Sequence, residues 1–306
     1  MDEKNPKVSV LIPVYNAQNF IQRTINSALN QTFSDLEVIV IDDGSRDKTP
    51  DIIRAMKERD SRINYFYQEN QGLSNTRNRL AALAKGEFIA FLDHDDEWFP
   101  EKIEKQLKLF EKDNRIGLVF TDAYIKKNGK IIATCFKERR PLRGHVFYQY
   151  LLSDNFAPLF TVLLPRKILI EFMPFSPDYE VNEEFDIFLK IARNYKFDYI
   201  DEPLAIYHIH GNNTIISKSK RFIEESFFIL DDWIKNDPKI VNLFKAQLKK
   251  RWAQLYYKKG LDFLQNNNLS ETKKAIITSF KYRLFNIEAV KLSIKLILHV
   301  LRIRKN

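Results

Sequence analysis

The sequence predicts an α/β domain with a mostly parallel sheet over residues 1–217 and an all-α extension over residues 218–306. Between Val8 and Leu92, short apolar runs alternate with helix-like segments, the mark of a βαβ series. Three of those runs end in polar clusters. Val8–Ile12 leads into Pro13-Val14-Tyr15-Asn16, Glu37–Ile41 into Asp42-Asp43-Gly44-Ser45, and Phe88–Leu92 into Asp93-His94-Asp95-Asp96. Neighbouring parallel strands bring such ends to one sheet edge, where open α/β sheets bind ligands. From Lys218 onward, strand-like alternation gives way to helical spacing.

Taken in order, the run from Val8 predicts the first strand. Phe20, Ile21, Ile25, Ala28 and Leu29 predict a helix over 20–29, and Glu37–Ile41 a second strand. Thr49-Pro50 reads as a cap followed by proline at the first helical position. A third strand over Ile63–Tyr67 and a helix over Ser74–Ala84 follow, with Lys85-Gly86 as its stop. The acidic strand Phe88–Leu92 is followed by a helix over Pro100–Lys112. Ile116–Thr121, Lys130–Cys135 and Phe160–Leu164 read as strands, and Asn128-Gly129 as a turn. A helix over Asp186–Tyr195 precedes two short strands at Tyr199-Ile200 and Ala205–Tyr207. The extension reads as helices near 221–235, 241–265, 270–284 and 287–303.

Composition excludes several classes. Hydrophobic residues make up 44% and charged residues 29%, a globular balance. The single cysteine, Cys135, rules out an intramolecular disulfide and thiolate metal clusters, and it suits a reducing compartment. Residues 1–7 lack a signal-peptide pattern and no uncharged apolar stretch has the length of a membrane span, so the expected location is cytoplasmic. Neither G-x-G-x-x-G nor G-x-x-x-x-G-K-[ST] occurs, against a dinucleotide oxidoreductase and a P-loop NTPase. The net charge of +9 is concentrated late: from Val241 on there are 15 Lys and Arg against 3 Asp and Glu. The remainder is near neutral, which argues against a nucleic-acid groove.

Asp93-His94-Asp95-Asp96 is the sharpest chemical signal. Hard oxygen ligands set at the end of a buried strand suit Mg²⁺ or Mn²⁺ holding a diphosphate. The same cluster could instead be a solvated turn with Asp96 capping the next helix. Asp43 could accept hydrogen bonds from a base or ribose, or simply end a strand in an Asp-Gly turn. Tyr15 offers a ring face for a planar base, and Arg77 a guanidinium for base or phosphate; a half-buried aromatic and a surface arginine are their plain alternatives. Glu183-Glu184 open a helix, where the dipole favours acids, yet a carboxylate beside an acceptor hydroxyl could serve as general base. His210 is a candidate imidazole ligand or a structural histidine.

From Lys7 to Asn213 the chain resembles the inverting glycosyltransferase family 2, of GT-A fold. The resemblance rests on the three strand-end clusters, Gln31-Thr32-Phe33, Asn70–Asn78, Glu183-Glu184-Phe185-Asp186 and Tyr207-His208-Ile209-His210. It implies that Pro13, Tyr15, Asp43 and Arg77 hold the nucleotide, most often UDP in that family, and that Asp93 contacts the ribose side. It further implies that Asp95 and His210 bind the Mn²⁺ or Mg²⁺ that bridges the diphosphate, and that Glu184 is the catalytic base. The family usually has Asp at that last position, so the arm here is one methylene longer. The implied activity is metal-dependent transfer of a sugar from a nucleotide-sugar to a hydroxyl of a glycan or lipid-linked acceptor. Transfer to a polyprenyl phosphate, or non-catalytic binding of a nucleotide-sugar or a partner, are the alternatives.

The last segment suggests a further partner. A helix over 286–306 sets Lys291, Lys295, His299 and Arg302 along one stripe, opposite Ile287, Val290, Ile294, Ile297, Leu298 and Leu301. Such a helix can lie peripherally in an anionic membrane interface at the inner face of the membrane, or pack on the preceding helices and expose its basic stripe.

Overall fold

The computed structural model describes residues 5–153, 155–211, 218–283 and 286–303, with side chains up to residue 298. Asn212 and Asn213, at the end of the resemblance, and the side chains of His299, Leu301 and Arg302 lie outside the described residues. The chain divides into two compact units, Met1–Tyr150 with Asp154–Gly211, and Leu151–Ser153 with Asn212–Asn306.

The first unit is built on one sheet. Its strands are β1 (Val8–Val14), β2 (Leu36–Asp43), β3 (Ile63–Gln68), β4 (Phe88–Phe91), β5 (Glu97–Trp98), β6 (Ile116–Lys127), β7 (Lys130–Thr134), β8 (Leu163–Pro165) and β9 (Lys196–Ile209). Among the described residues the order is β3-β2-β1-β4-β8-β6-β9-β5, with β7 paired to β6. The half that carries the three polar clusters, β3-β2-β1-β4, is parallel throughout. Beyond it, β8 runs antiparallel to both β4 and β6, and β9 runs parallel to β6. Every residue of β1, β2 and β4 is buried, as expected of strands covered on both faces.

Register fixes where the clusters go. Val14 pairs with Asp42, and Leu11 with Phe91, so the chain leaves β1, β2 and β4 at the same edge. The helix α1 (Ile21–Leu29) follows β1, α2 (Thr49–Lys57) follows β2 and α3 (Leu73–Leu83) follows β3. Next come α4 (Lys102–Phe110), the short α5 (Cys135–Glu138) and α6 (Phe147–Leu151), α7 (Arg166–Phe172) and α8 (Glu183–Asn194).

Several elements differ from their sequence reading for identifiable reasons. Thr49 is not a side-chain cap: its backbone N–H donates to Asp47 Oδ1 at 3.0 Å. Its own hydroxyl turns inward and accepts from the Ala17 N–H at 2.8 Å, tying the loop after β1 to the loop after β2. The two short strands expected near 199–207 are one strand, β9. Its register against β6 slips between Ile200 and Pro203, and this irregularity absorbs a proline without breaking the ladder. The strand expected at Phe160–Leu164 shifts to β8, after a 3₁₀ turn over Leu159–Thr161.

Gly86 is needed for close approach and not for a helix stop. A Cβ built there would lie 2.5 Å from Ser9 N and 2.8 Å from Val8 C. Its N–H donates to Ser9 Oγ at 2.8 Å, and that hydroxyl donates to the buried Glu37 at 2.6 Å. The Lys85 N–H and the Asn64 amide also donate to Glu37. We expect Gly86→Ala to cost on the order of 1–3 kcal/mol, because backbone must move. Urea unfolding of the variant checks this; an unchanged midpoint would show that the strand edge yields freely.

The second unit is helical: α9 (Ser219–Asn236), α10 (Lys239–Leu243), α11 (Lys245–Gln265), α12 (Leu269–Tyr282) and α13 (Ile287–Ile303). Trp252 and Tyr256 of α11 meet Phe227 of α9 and Tyr282 of α12, with ring centroids 5.0–6.0 Å apart. Gly260 of α11 lets two helices converge on it, since a Cβ there would sit 2.6 Å from Leu292 and 3.3 Å from Ala275. Among the described residues no helix is long and apolar enough to cross a membrane.

Candidate active site at the strand-end edge

The edge formed by β1, β2 and β4 is held together by its own loops. Asn16, at φ 50°, donates its N–H to Ser45 Oγ at 2.8 Å and accepts from the Arg46 N–H at 2.9 Å. Pro13 lies buried within β1, while the ring of Tyr15 just beyond is 46% exposed at the edge. The two aspartates of β2 divide their work. Asp42 is fully buried and accepts from the Ser45 N–H and the Tyr65 hydroxyl, so it is structural. Asp43 accepts from Gln68 Nε2 at 2.7 Å, from the Gln71 N–H at 2.8 Å and from the Gly72 N–H at 3.0 Å. It thereby shapes the turn into α3, and Oδ2, with one amide on it, retains capacity for another donor.

The acidic cluster after β4 is gripped by α1. Thr24 Oγ1 lies within hydrogen-bond distance of the His94 and Asp96 carbonyls, and Arg23 donates to the Asp95 carbonyl at 2.9 Å. Asp96 does not cap a helix; α4 begins at Lys102, after Glu101. It is fully buried, and Oδ1 accepts from the His208 N–H at 3.1 Å. Burial, reinforced by the charges of Asp95 and Asp93, pushes its carboxyl well above the usual range. The alternative of a solvated capping turn is therefore set aside.

Asp93 and Asp95 face different partners. Arg77 of α3 donates to Asp93 Oδ1 at 3.0 Å and, through its other terminal nitrogen, to Glu183 Oε1. Burial works against the Arg77 charge, but Glu183 and Asp93 outweigh it and hold its pKa above the ordinary value. Arg77 thus joins the end of β4 to the start of α8. Asp95 Oδ2 and His210 Nε2 lie 2.8 Å apart, brought together across 115 residues because β9 delivers His210 to the same edge. The His210 ring stacks on Phe20 with centroids 4.9 Å apart, which fixes its plane.

Glu184 is the one partly exposed acid of the pair that opens α8. Burial of its carboxyl, with the neighbouring Glu183 charge, pushes it up to about 8, and Arg77 only partly offsets this. The Asp93 charge acts on it in the same direction. Asn155 Nδ2 stands 3.5 Å from Glu184 Oε1, and Asn155 is itself anchored by the Tyr150 hydroxyl at 2.6 Å.

Two groups of the expected residues therefore come together: Arg77 and Asp93 beside Glu184, and Asp95 with His210. Pro13, Tyr15 and Asp43 share the edge through strand register. Sequence reasoning missed Glu183 as the partner of Arg77, Gln68 as a prop for Asp43, and Asn155. Neither Gln68 nor Asn155 had a signal: Gln68 closes a strand without regular alternation, and Asn155 sits in a loop.

The Asp95 carboxylate is the hard oxygen donor that Mn²⁺ or Mg²⁺ takes, and His210 adds an imidazole nitrogen beside it. Among the described residues no group of three or more His, Cys, Asp or Glu could hold a metal. Asp95 and His210 are thus two donors only, and any ion placed there would have to take its remaining ligands from elsewhere.

Residues 9–168 match the family described as Glycosyl transferase family 2. A protein of Nostoc sp. named as an uncharacterized glycosyltransferase is 32% identical over 224 residues, covering 72% of this chain and 70% of its own. Of some other relatives the chain spans 44% or less of the length. The mannosyltransferase PcManGT from Pyrobaculum calidifontis, in complex with GDP-Man and Mn²⁺, superposes with a TM-score of 0.64 at 16% identity. It covers 97% of this chain and 81% of its own. S. aureus TarS 1-349 in complex with UDP-GlcNAc gives 0.58 at 15% identity, over 90% of this chain and 91% of its own.

Proposed function

Because this chain belongs to glycosyl transferase family 2 and has the GT-A fold, we propose that it moves a sugar from a nucleotide-sugar to an acceptor hydroxyl with inversion. The observation that carries the reading is the Arg77 bridge, which links Asp93 on the donor edge to the helix start that bears Glu184.

In this reading Tyr15 stacks on the base, Pro13 and Asp43 line the nucleotide, and Asp93, oriented by Arg77, accepts from the ribose. Asp95 and His210 would hold Mn²⁺ or Mg²⁺, whose positive charge would offset the charge developing on the leaving diphosphate. Glu184 accepts the proton of the acceptor hydroxyl. The oxygen then bonds to the anomeric carbon from the face opposite the diphosphate, which departs with the bonding pair. One displacement inverts that carbon.

UDP is the donor nucleotide we favour, and a glycan or lipid-linked hydroxyl the acceptor, in the reducing compartment that a lone cysteine suits. GDP-Man and UDP-GlcNAc each occur in a neighbour of the same fold, so the nucleotide needs its own test. Thermal shift with UDP-, GDP- and dTDP-sugars, with and without Mn²⁺, supplies it. UDP-sugars are expected to raise the Tm only when Mn²⁺ is present. Asp95→Ala should abolish that dependence in calorimetry; equal UDP affinity with and without Mn²⁺ in the native chain would refute the metal assignment.

A further inference from the structure

We propose that the outward face of α13 docks the protein on an anionic lipid membrane surface. The sequence left two readings of this helix: its apolar stripe lies in a membrane, or it packs on the preceding helices. The structure shows that packing uses a different face. Ala289 and Leu292 are fully buried, Leu292 over Gly260, and the Asn286 amide donates to Ser279 Oγ at 2.8 Å to seat the helix start. The apolar stripe remains outside. Ile287 is 71% exposed, Ile294 52% and Ile297 59%, and Val290 and Leu298 are similarly open. These five recur at helical spacing, forming one continuous ridge on the side away from Ala289 and Leu292.

A helix whose large apolar residues served only the protein interior would turn them inward, because leaving them in water forfeits their burial free energy. Among the described residues of α13, Ala289 and Leu292 are buried and Leu296 is half-buried on the inward face, while five large apolar side chains face out. The choice of occupant follows from charge. Lys291 and Lys295 are exposed and, contrary to the expected opposite stripe, flank the ridge at helical spacing, where long stems can follow an apolar surface and lift their charges to the headgroups. Lys273, Lys274, Lys281 and Arg283 are exposed on and just after α12. The sequence from Val241 carries 15 basic against 3 acidic residues. An anionic bilayer matches an apolar ridge bordered by lysines in a strongly basic segment. A second copy of the chain would instead set Lys291 and Lys295 against basic residues of its own kind.

The inference does not use the transferase reading, and nucleotide-sugar binding measured on the same samples separates a failure of one from a failure of the other. The test is sedimentation of the full chain with vesicles of phosphatidylcholine and phosphatidylglycerol in equal parts, against phosphatidylcholine alone. The chain is expected to pellet with the mixed vesicles only, and less as salt rises. The pair Ile294→Glu with Ile297→Glu should lower partitioning about tenfold or more, since both side chains would leave the apolar layer. Both positions are exposed, so melting should be unaffected. Should that pair melt early, Lys291→Gln with Lys295→Gln decides, with an expected loss of several-fold and a weaker salt response. No pelleting with mixed vesicles, or partitioning indifferent to both pairs, would overturn the proposal. So would a concentration-dependent dimer that the glutamate pair dissolves while vesicles leave the native chain in solution.

Discussion

Glu184→Gln is expected to lower kcat by about a hundredfold or more while donor affinity stays within about twofold. The substitution keeps the shape of the side chain and its distance from Asn155 but removes the ability to take a proton. Its pH behaviour provides a second readout. Burial and the Glu183 charge push the Glu184 carboxyl up to about 8, and a general base works only when deprotonated. Turnover of the native chain should therefore climb by about tenfold per pH unit below that value and level off above it, whereas the glutamine variant is flat. The stability consequence has a definite sign. The folded state holds this proton to a higher pH than the unfolded state does. Between the ordinary carboxylate range and about 8 it binds more protons, so native stability from this group declines as pH rises through that window. Glu184→Gln should lack the decline. Turnover unchanged in the variant would remove Glu184 from the base role.

The second large effect is on folding. Arg77→Met should cost about 3–5 kcal/mol, because the buried Glu183 loses its guanidinium partner in a site with little water. Only about 0–1 kcal/mol would follow if the pair behaved like a surface ion pair. Glu183→Gln in the Arg77→Met background should recover part of the loss, and the cycle built from the two single variants and the double isolates their coupling. Urea unfolding reads all four chains. A single-variant loss below about 1 kcal/mol would show that the bridge is not a structural element. Arg77→Met should also weaken nucleotide-sugar binding, since Asp93 would lose the donor that orients it.

Much of the fold was legible because the parallel half of the sheet is buried on both faces. Such strands read as near-continuous apolar runs, and Val8–Val14, Leu36–Asp43 and Phe88–Phe91 stand out for that reason. The mixed half was harder. β8 is only three residues long, and β9 crosses Pro203 through a register slip, which periodicity cannot anticipate. For the site, residue types were legible and partnerships were not. An acidic cluster at a strand end is visible in one dimension; that Asp96 takes the His208 N–H while Asp95 meets the His210 ring is not.

The sequence by itself determined the alternation of strand and helix, the family resemblance, the acids at the strand ends and the basic character of the last helices. Each is a property of neighbouring residues, set by local spacing and composition. Tertiary structure alone decided that Arg77 meets Glu183 across 106 residues, that His210 meets Asp95 across 115, and which face of α13 is turned outward. Those outcomes depend on strand order and on which helix face finds a close-packed partner, here Leu292 over Gly260, and no local pattern encodes them.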